Sequence, residues 1–526
     1  MRCTVWPADS IMREICIFDH AGRQLGMPTT IRLDPSRPIG NFWIDMGLVV
    51  LLEQFGPGTY DANDILQWLR SRIAQKTGNI GQYYDEAAGR LREYEKINWV
   101  YPTNLFIKVS GQPGKKVKIN DKEYPTQPPV FDLKLDLTKK PSLCDMCGDE
   151  APVTDAKMWM FPFLVDLQRF ANFYPGVKRG MRLCARCALA GLAGYLGWLW
   201  KAQGKDVLHF FIFHTDLPEL RRLYRVVIRP LTVEGDRGGN VRIALAGKYI
   251  HETTLGLLLE LFGQVRASDR LSDEGRQALA ELLGAVENPS PAPLMLYAVT
   301  GIPGQAFNMQ ALREFTKLQS LYRLYERWLE ALRLINSANP HQQLVSILSQ
   351  FSTRQGKKKN YEESIWRDRI AWAILEFGDP FPKIEQFLFE VRAREEKKYP
   401  LRAGTLEVFN QYLKEVLAMD EGLQRVLAGF GHSLGTAAQE HNEMGLLYAL
   451  RNAKNPEDFY RVLNDVQFRL NLTVPSALLN IEKGERIAGV PWVRVKTLLS
   501  IYAMNSFLRK GAPAEASDVN STSMEG

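Results

Sequence analysis

Cysteine is scarce in this chain and unevenly placed. Four of the six cysteines sit in two C-x-x-C pairs, Cys144-Asp145-Met146-Cys147 and Cys184-Ala185-Arg186-Cys187, with thirty-six residues between them. Two intervening residues let one tight turn aim both sulfurs of a pair at a single ion, at about 2.3 Å for zinc. Gly148 follows the first pair, where a residue free to adopt positive φ relieves such a turn. The pattern favours a metal and disfavours catalysis, because four thiolates complete a tetrahedral ion and leave no position for water or substrate. Structural Zn2+ on Cys144, Cys147, Cys184 and Cys187 is the expected cofactor, ahead of redox or disulfide pairs and of an iron–sulfur cluster. Its role would be to clamp two distant segments of chain.

Other chemical motifs fail on context. Gly431-His432-Ser433-Leu434-Gly435 matches the G-x-S-x-G nucleophile elbow, which needs a buried strand before the serine and a triad histidine on a later strand. The preceding "MDEGLQRVLAGF" reads as helix, and the only later histidine, His441, falls eight residues on. A helix–turn–helix junction capped by Ser433 is the plainer expectation, with a hydrolase as a distant alternative. "GQPGKKV" lacks the spacing and the Ser or Thr of a phosphate-binding loop. The seven histidines form no metal-protease pattern, and no acid pair stands out from ordinary solvated helix faces. No enzyme is expected.

Basic residues cluster at Lys115, Lys116 and Lys118, at Lys178, Arg179, Arg182 and Arg186, at Arg221, Arg222 and Arg225, and at Lys357, Lys358 and Lys359. Singly, such runs are solvated faces; several in loops of a mildly basic chain, net charge +7, favour phosphate contacts. Lys115, Lys116, Lys118 and Lys357–Lys359 are the candidates for touching nucleic acid, and Arg182 and Arg186 are placed to offset thiolate charge.

The elements that must position these residues follow from periodicity. At 526 residues, with 45% apolar and 24% charged positions, the chain is an ordinary folded protein too long for one core. An α+β fold is expected, with an N-terminal mixed α/β region, an inserted four-cysteine zinc segment, and a C-terminal α-helical bundle. The expected divisions are 1–140, mixed; 141–200, zinc segment; 201–351, strands and helices; 361–510, helical bundle; and 511–526, a disordered tail with little to bury. Helices are read at Ile44–Phe55, Ala62–Ala74, Leu318–Ile335 and Leu406–Leu417, and from Asn455, which caps a helix with Pro456 at its first position. Asn98–Leu137 reads as a small β-rich region carrying a Lys-rich hairpin or loop. "DVLHFFIFH", "YRVVIRPL", Val241–Leu245 and "PLMLYAVTG" read as strands. Ser352–Asn360 reads as a linker or exposed loop. Ala188–Trp200 is apolar for thirteen residues, too short for a bilayer, and reads as a buried helix. Polar residues at Met1–Ser10 argue against a signal peptide, and with only Cys3 and Cys16 outside the pairs a reducing cytoplasm is expected.

"GNFWIDMG" at Gly40–Gly47 together with the two C-x-x-C pairs resembles a CRISPR-associated family known for its CxxC-CxxC signature, the large subunit of type I (I-B-like) Cascade surveillance complexes. "LRNAKNPEDFYRVLNDV" at Leu450–Val466 is similar to that family's C-terminal helical segment, and "WVYPTNLF" at Trp99–Phe106 is a vague match. The resemblance implies a non-catalytic prokaryotic subunit that helps recognise the protospacer-adjacent motif, supports opened DNA and recruits a separate helicase-nuclease. Its implied partners are guide RNA, target DNA, and the backbone and small subunits. The small subunit is in some relatives a C-terminal fragment of the same chain, made from an internal start, expected here between the 352–360 loop and Met419. In such systems base pairing with the guide reads the target, and protein reads a short duplex motif and backbone. A zinc-ribbon DNA-binding or scaffold protein unrelated to CRISPR is the alternative.

Overall fold

The computed structural model describes residues 17–18, 24–25, 29–99, 107–108, 116–128, 130–131, 133–157, 159–161, 180–203, 206–213, 216–233, 238–245, 247–285, 295–302, 308–314, 317–335, 337–354, 362–395 and 399–510. Lys115, Lys178, Arg179, Lys357, Lys358, Lys359, most of "WVYPTNLF" and the tail 511–526 lie outside them. The chain forms two compact units: one of Met1–Pro230, Glu234–Asn240 and Ala292–Glu314, the other of Leu231–Val233, Val241–Pro291 and Phe315–Gly526.

In the first unit, strand β1 (Thr30–Leu33) pairs antiparallel with β2 (Gly58–Asp61) around helix α1 (Phe42–Phe55). Asn41 caps α1 by accepting hydrogen bonds from the Trp43 and Ile44 amides, and ten consecutive residues from Trp43 to Leu52 are buried. A helix apolar on all sides must be covered on all sides. Helix α2 (Ala62–Ile73) opens on an Asp61 cap and runs directly into a long hairpin, β3 (Ala74–Asp85) with β4 (Arg90–Trp99). The Lys-rich hairpin expected from sequence is β5 (Lys116–Ile119) with β6 (Lys122–Pro125), closed by Asn120 and Asp121, both at positive φ.

A short hairpin follows, β7 (Ser142–Leu143) with β8 (Glu150–Ala151), and then an antiparallel pair, β9 (Val153–Asp155) with β10 (Arg182–Cys184), which feeds helix α3 (Ala185–Ala193). The apolar run Ala188–Trp200 is not one helix. After α3 a single 3-10 turn, Gly194–Leu196, ends it, and Leu199–Gln203 is strand β11. The reason is steric. A Cβ on Gly194 would lie 2.6 Å from Trp43 Nε1, and one on Gly197 would lie 2.4 Å from Met46 Cγ, so the chain turns where glycine lets α1 come close. Strand β11 opens a four-stranded antiparallel sheet with β12 (Asp206–Phe213), β13 (Met295–Ile302) and β14 (Asn308–Glu314). Strands β12 and β13 match "DVLHFFIFH" and "PLMLYAVTG". Trp43, Tyr195, Trp198 and Phe211 meet edge-on at centroid separations of 4.9 to 6.0 Å between α1 and this sheet.

"YRVVIRPL", read as a strand, is helical instead. Helix α4 (Leu217–Leu223) continues through a π turn, Tyr224–Ile228, into Arg229–Leu231. Val226, Val227 and Ile228 are all buried, and a short run buried on every side has no period to separate strand from helix. Val241–Leu245 is likewise no strand; Val241 makes one isolated bridge to Thr232.

The second unit is built mainly of helices: α5 (Ile250–Arg266), α6 (Asp273–Leu282), α7 (Leu318–Leu334), α8 (Pro340–Ser349), α9 (Ile365–Leu375), α10 (Phe381–Glu390), α11 (Thr405–Glu415), α12 (Glu421–Glu440), α13 (Met444–Asn452), α14 (Pro456–Leu470) and α15 (Trp492–Lys510). A two-residue hairpin, β15 (Thr353–Arg354) with β16 (Glu362–Glu363), lies between α8 and α9. Asn455 accepts from the Asp458 amide at 2.7 Å, and Pro456 begins α14 as read from sequence. Ser433 caps nothing. It lies inside α12, exposed, with its hydroxyl donating to the Gly429 carbonyl one turn back. The glycines of G-x-S-x-G instead let α12 pack on α15: a Cβ on Gly435 would sit 2.0 Å from the Ala503 carbonyl oxygen, and one on Gly431 would sit 2.5 Å from Tyr502 Cβ.

Among the described residues, no helix is long and apolar enough to cross a membrane.

Candidate metal centre

The β7–β8 hairpin carries the first cysteine pair at its tip. The Cys144 amide donates to the Asp149 carbonyl and the Gly148 amide donates back to the Cys144 carbonyl, both at 2.9 Å; Gly148 takes φ 75°. Cys144 and Cys147 are thereby turned to one side. The second pair sits where strand becomes helix: Cys184 ends β10, opposite Val153, and is also the N-cap of α3, while Cys187 falls in the helix's first turn. Unpaired amides and the positive end of the helix dipole gather at such a terminus, which favours thiolate.

The four sulfurs lie within 4.8 Å of one another, and Cys147 and Cys184 Sγ are 3.8 Å apart. Four sulfurs at about 2.3 Å around one zinc ion are separated by about 3.8 Å, so the donor set fits a tetrahedral thiophilic ion. Cys144, Cys184 and Cys187 are buried and Cys147 is half-buried, and none is in a disulfide. The Cys184 amide donates to Cys144 Sγ at 3.2 Å. Without an ion the thiols share protons. Hydrogen bonds from Cys184 and Cys187 pull Cys144 well below the ordinary thiol range, and a hydrogen bond with Cys187 brings Cys147 down to about 7. Cys184 is pushed up to about 12, chiefly by its hydrogen bond to Cys144, and Cys187 is raised further by all three neighbours. An ion taking all four as thiolates must displace the protons held by the second pair.

Charged residues surround the cluster. Arg186 is 11% exposed and pairs with Asp149 at 3.2 Å, while Arg37 reaches the other Asp149 oxygen at 3.0 Å. Burial works to lower the Arg186 pKa, but the sulfurs of Cys187, Cys147 and Cys184 outweigh it and the net shift is upward. Arg186 therefore offsets thiolate charge as expected. Arg182 is engaged elsewhere: its amide donates to Asp145 Oδ2 at 2.7 Å and its guanidinium to Ser142 Oγ at 3.3 Å. Asp45, in the first turn of α1, is also buried. It accepts from the Ile39 and Gly40 amides at 2.7 and 2.8 Å, and burial pushes its carboxyl up, against the pull of those amides and of Arg186. The structure thus joins to the cysteines three residues that sequence reading did not single out, Arg37, Asp45 and Asp149. The signal available was Asp45 set among the apolar residues of the first turns of α1.

The other candidate residues are dispersed. Lys116 pairs with Glu123 at 2.9 Å and Lys118 with Asp121 at 3.0 Å across the β5–β6 hairpin, with all four side chains more than half exposed. Such exposed pairs are weak and open readily to a competing phosphate. Arg221 and Arg222 are engaged by Glu53 and Glu219, while Arg225 of the same cluster is exposed. No acid pair was expected to stand out from solvated helix faces, but Glu252 is fully buried, with Asp368 buried beside it. Glu252 accepts from Ser364 Oγ at 2.6 Å and from the Tyr249 amide at 2.9 Å, and is ion-paired with Arg367. Beside it, Asp368 accepts from the His251 amide at 2.8 Å. This network bolts α9 to the start of α5.

No protein-family model matches the chain, and no curated protein matches it in sequence.

Proposed function

We propose that this chain is the non-catalytic large subunit of a type I CRISPR surveillance complex. In that reading it contributes to recognition of the protospacer-adjacent motif, holds opened DNA, and presents a docking surface for the helicase-nuclease. One observation carries the reading. The two sequence segments that resemble the family, Gly40–Gly47 and the cysteine pairs, lie far apart in the chain yet form one packed body. Trp43 Nε1 donates to the Gly191 carbonyl at 2.7 Å, one turn beyond Cys187, and Asp45 lies close enough to feel Arg186.

The ion is zinc, held for structure by Cys144, Cys147, Cys184 and Cys187, which leave it no open position for catalysis. Lys115, Lys116 and Lys118, with Lys357, Lys358 and Lys359, supply phosphate contacts of the kind that add affinity without reading sequence. The helices from α9 onward act as a bundle backing the opened strand, and the site of action is the prokaryotic cytoplasm.

Purification from cells that also express the genes flanking its own tests this. The expected product is a complex of several unlike subunits with a short RNA. A chain that elutes alone or as a homo-oligomer, free of RNA, would point to a zinc-stabilised scaffold unrelated to CRISPR.

A further inference from the structure

The segment Asp34–Asn41, which joins β1 to α1, belongs to neither and contains two prolines, Pro35 and Pro38. Its anchors are side chains, and they lead to the cysteines. Arg37 pairs with Asp149 at 3.0 Å, and Asp149 lies two residues past Cys147 on the hairpin of the first cysteine pair. The Ile39 and Gly40 amides donate at 2.7 and 2.8 Å to the carboxylate of Asp45, which is buried. Both acids are drawn to one cation. Arg186, inside the second cysteine pair, pairs with the other Asp149 oxygen at 3.2 Å, hydrogen-bonds the Cys147 sulfur and attracts the Asp45 carboxylate.

We propose that Asp34–Asn41 is a strap fastened by the metal centre, and that the fastened strap in turn slows loss of the metal. The inference rests on the four cysteines being a metal site and needs no CRISPR role. A segment whose amides bond to side chains is ordered only as far as those side chains are placed. Asp149 belongs to the first half of the site and Arg186 to the second, so their ion pair spans the halves that a bound ion holds at one point. Apart from the sulfurs and this pair, the halves are joined by short features, such as three residue pairs between β9 and β10, the Asp145 amide to the Arg182 carbonyl at 2.9 Å, and the Arg182 amide to Asp145 Oδ2 at 2.7 Å. Elements this short open locally at low cost. When they open, Asp149 and Arg186 part, Arg37 loses its fixed partner, and Asp45 loses the cation beside it. Coupling between two sites is reciprocal, so whatever the metal does to order the strap, the strap does to hold the metal. The links differ in strength. Arg37 and Asp149 are 53% and 37% exposed, which makes their pair weak, whereas Arg186 and Asp45 are largely buried and their contacts stronger.

The test uses the full-length chain loaded with zinc, with metal content measured first. Removing the ion with EDTA should speed hydrogen exchange in peptides covering Ser36–Asn41 about 10- to 100-fold and leave the β3–β4 hairpin of the same unit unchanged. Arg37→Gln, an exposed change that leaves the core intact, should release zinc to a chromophoric chelator about 2- to 5-fold faster. Lys157→Gln, which removes the exposed Lys157–Asp136 pair of the same unit, should release it at the wild-type rate. The inference is overturned if EDTA leaves exchange over Ser36–Asn41 unchanged, or if it speeds β3–β4 equally, which would make the ion a general staple. It is also overturned if Arg37→Gln holds zinc as long as wild type does, or if Lys157→Gln speeds release as much. A wild type that binds no zinc sinks the metal reading and the strap together; zinc bound with an indifferent strap sinks the strap alone.

Discussion

Gly47 of α1 and Ala190 of α3 approach so closely that a Cβ on Gly47 would fall 1.7 Å from the Ala190 carbonyl oxygen. The obstacle is backbone on both sides, with no flexible side chain to swing away. Gly191 is held in the same way, 1.9 Å from the Met160 carbonyl oxygen by the same measure. Gly47→Ala should therefore destabilise the first unit by at least about 1–3 kcal/mol. Because α3 begins at the second cysteine pair, it should also reduce the metal retained after dialysis. Urea unfolding together with metal analysis reads both effects.

Replacing Cys144 and Cys147 by serine should remove bound zinc, expected at one ion per chain, and lower the melting temperature of the first unit. A chelator should reproduce the loss in wild type and have no effect on the variant. A metal-free wild type as stable as the double variant would refute the structural ion.

Helix α12 contains a built-in control. A Cβ on Gly429 would meet nothing within 4 Å, whereas Gly431 and Gly435 press on α15. Gly429→Ala should stabilise by up to about 1 kcal/mol through helix propensity. Gly435→Ala should destabilise by about 1–3 kcal/mol. Ser433→Ala, at an exposed site, should change stability by less than about 0.5 kcal/mol. An esterase activity abolished by that last substitution would revive the nucleophile-elbow reading.

Glu385 on α10 is buried, and burial raises its carboxyl to about 7 despite Lys496 and Arg451 nearby. An unfolded glutamate releases its proton near 4.5, so between 4.5 and about 7 the folded chain holds the extra proton. Its contribution to stability therefore falls as pH rises through that window, by about 3 kcal/mol at most. Asp45 and Asp368, also raised by burial, slope the same way, so the comparison with Glu385→Gln isolates this group. The variant should show a flatter profile between pH 5 and about 7 and gain stability relative to wild type at pH 8.

If a C-terminal fragment is made from an internal start, contacts of α13 and α15 with the chain before Met419 argue for a beginning upstream of α10. The Leu401 amide donates to Asn505 at 2.7 Å, Tyr502 OH to Asn410 at 2.6 Å, and Tyr448 OH to the Phe389 carbonyl at 3.1 Å. A product starting at Met419 would lose all three and bare the face of α15 that α10 covers. Intact-mass analysis should find any such fragment to include Phe381; a Met419 product that is soluble and folded would contradict this.

Legibility from sequence followed the periodicity. Helices α2, α7 and α14 were readable from their three-and-four spacing, and at α14 Asn455 and Pro456 also mark the start; α1 was readable as one long apolar run after the Gly40–Asn41 turn. The cysteine cluster was readable because thiolate spacing carries its own geometry. The π turn at Tyr224–Ile228 was hidden, since a β-branched run buried on all sides looks like a strand until its neighbours are known. The break after α3 was hidden too, because Gly194 and Gly197 acquire meaning only from Trp43 and Met46, some 150 positions earlier in the chain. Glu252 and Asp368 looked like surface acids for the same reason: their partners, Ser364, Arg367 and the amide of His251, are assembled only by folding.

The separation of the two cysteine pairs has a consequence for how the protein is made. Cys187 leaves the ribosome some forty residues after Cys147, roughly 2 to 8 s later at ordinary elongation rates. During that interval the first hairpin exposes a reactive dithiol with no second pair to complete its site. An ion captured early can be held by only half its final ligands, and an oxidant can close the nascent pair into a wrong disulfide. Yield during expression should thus depend on zinc supply and thiol redox state at the moment of synthesis, and zinc added after lysis should not restore what was lost.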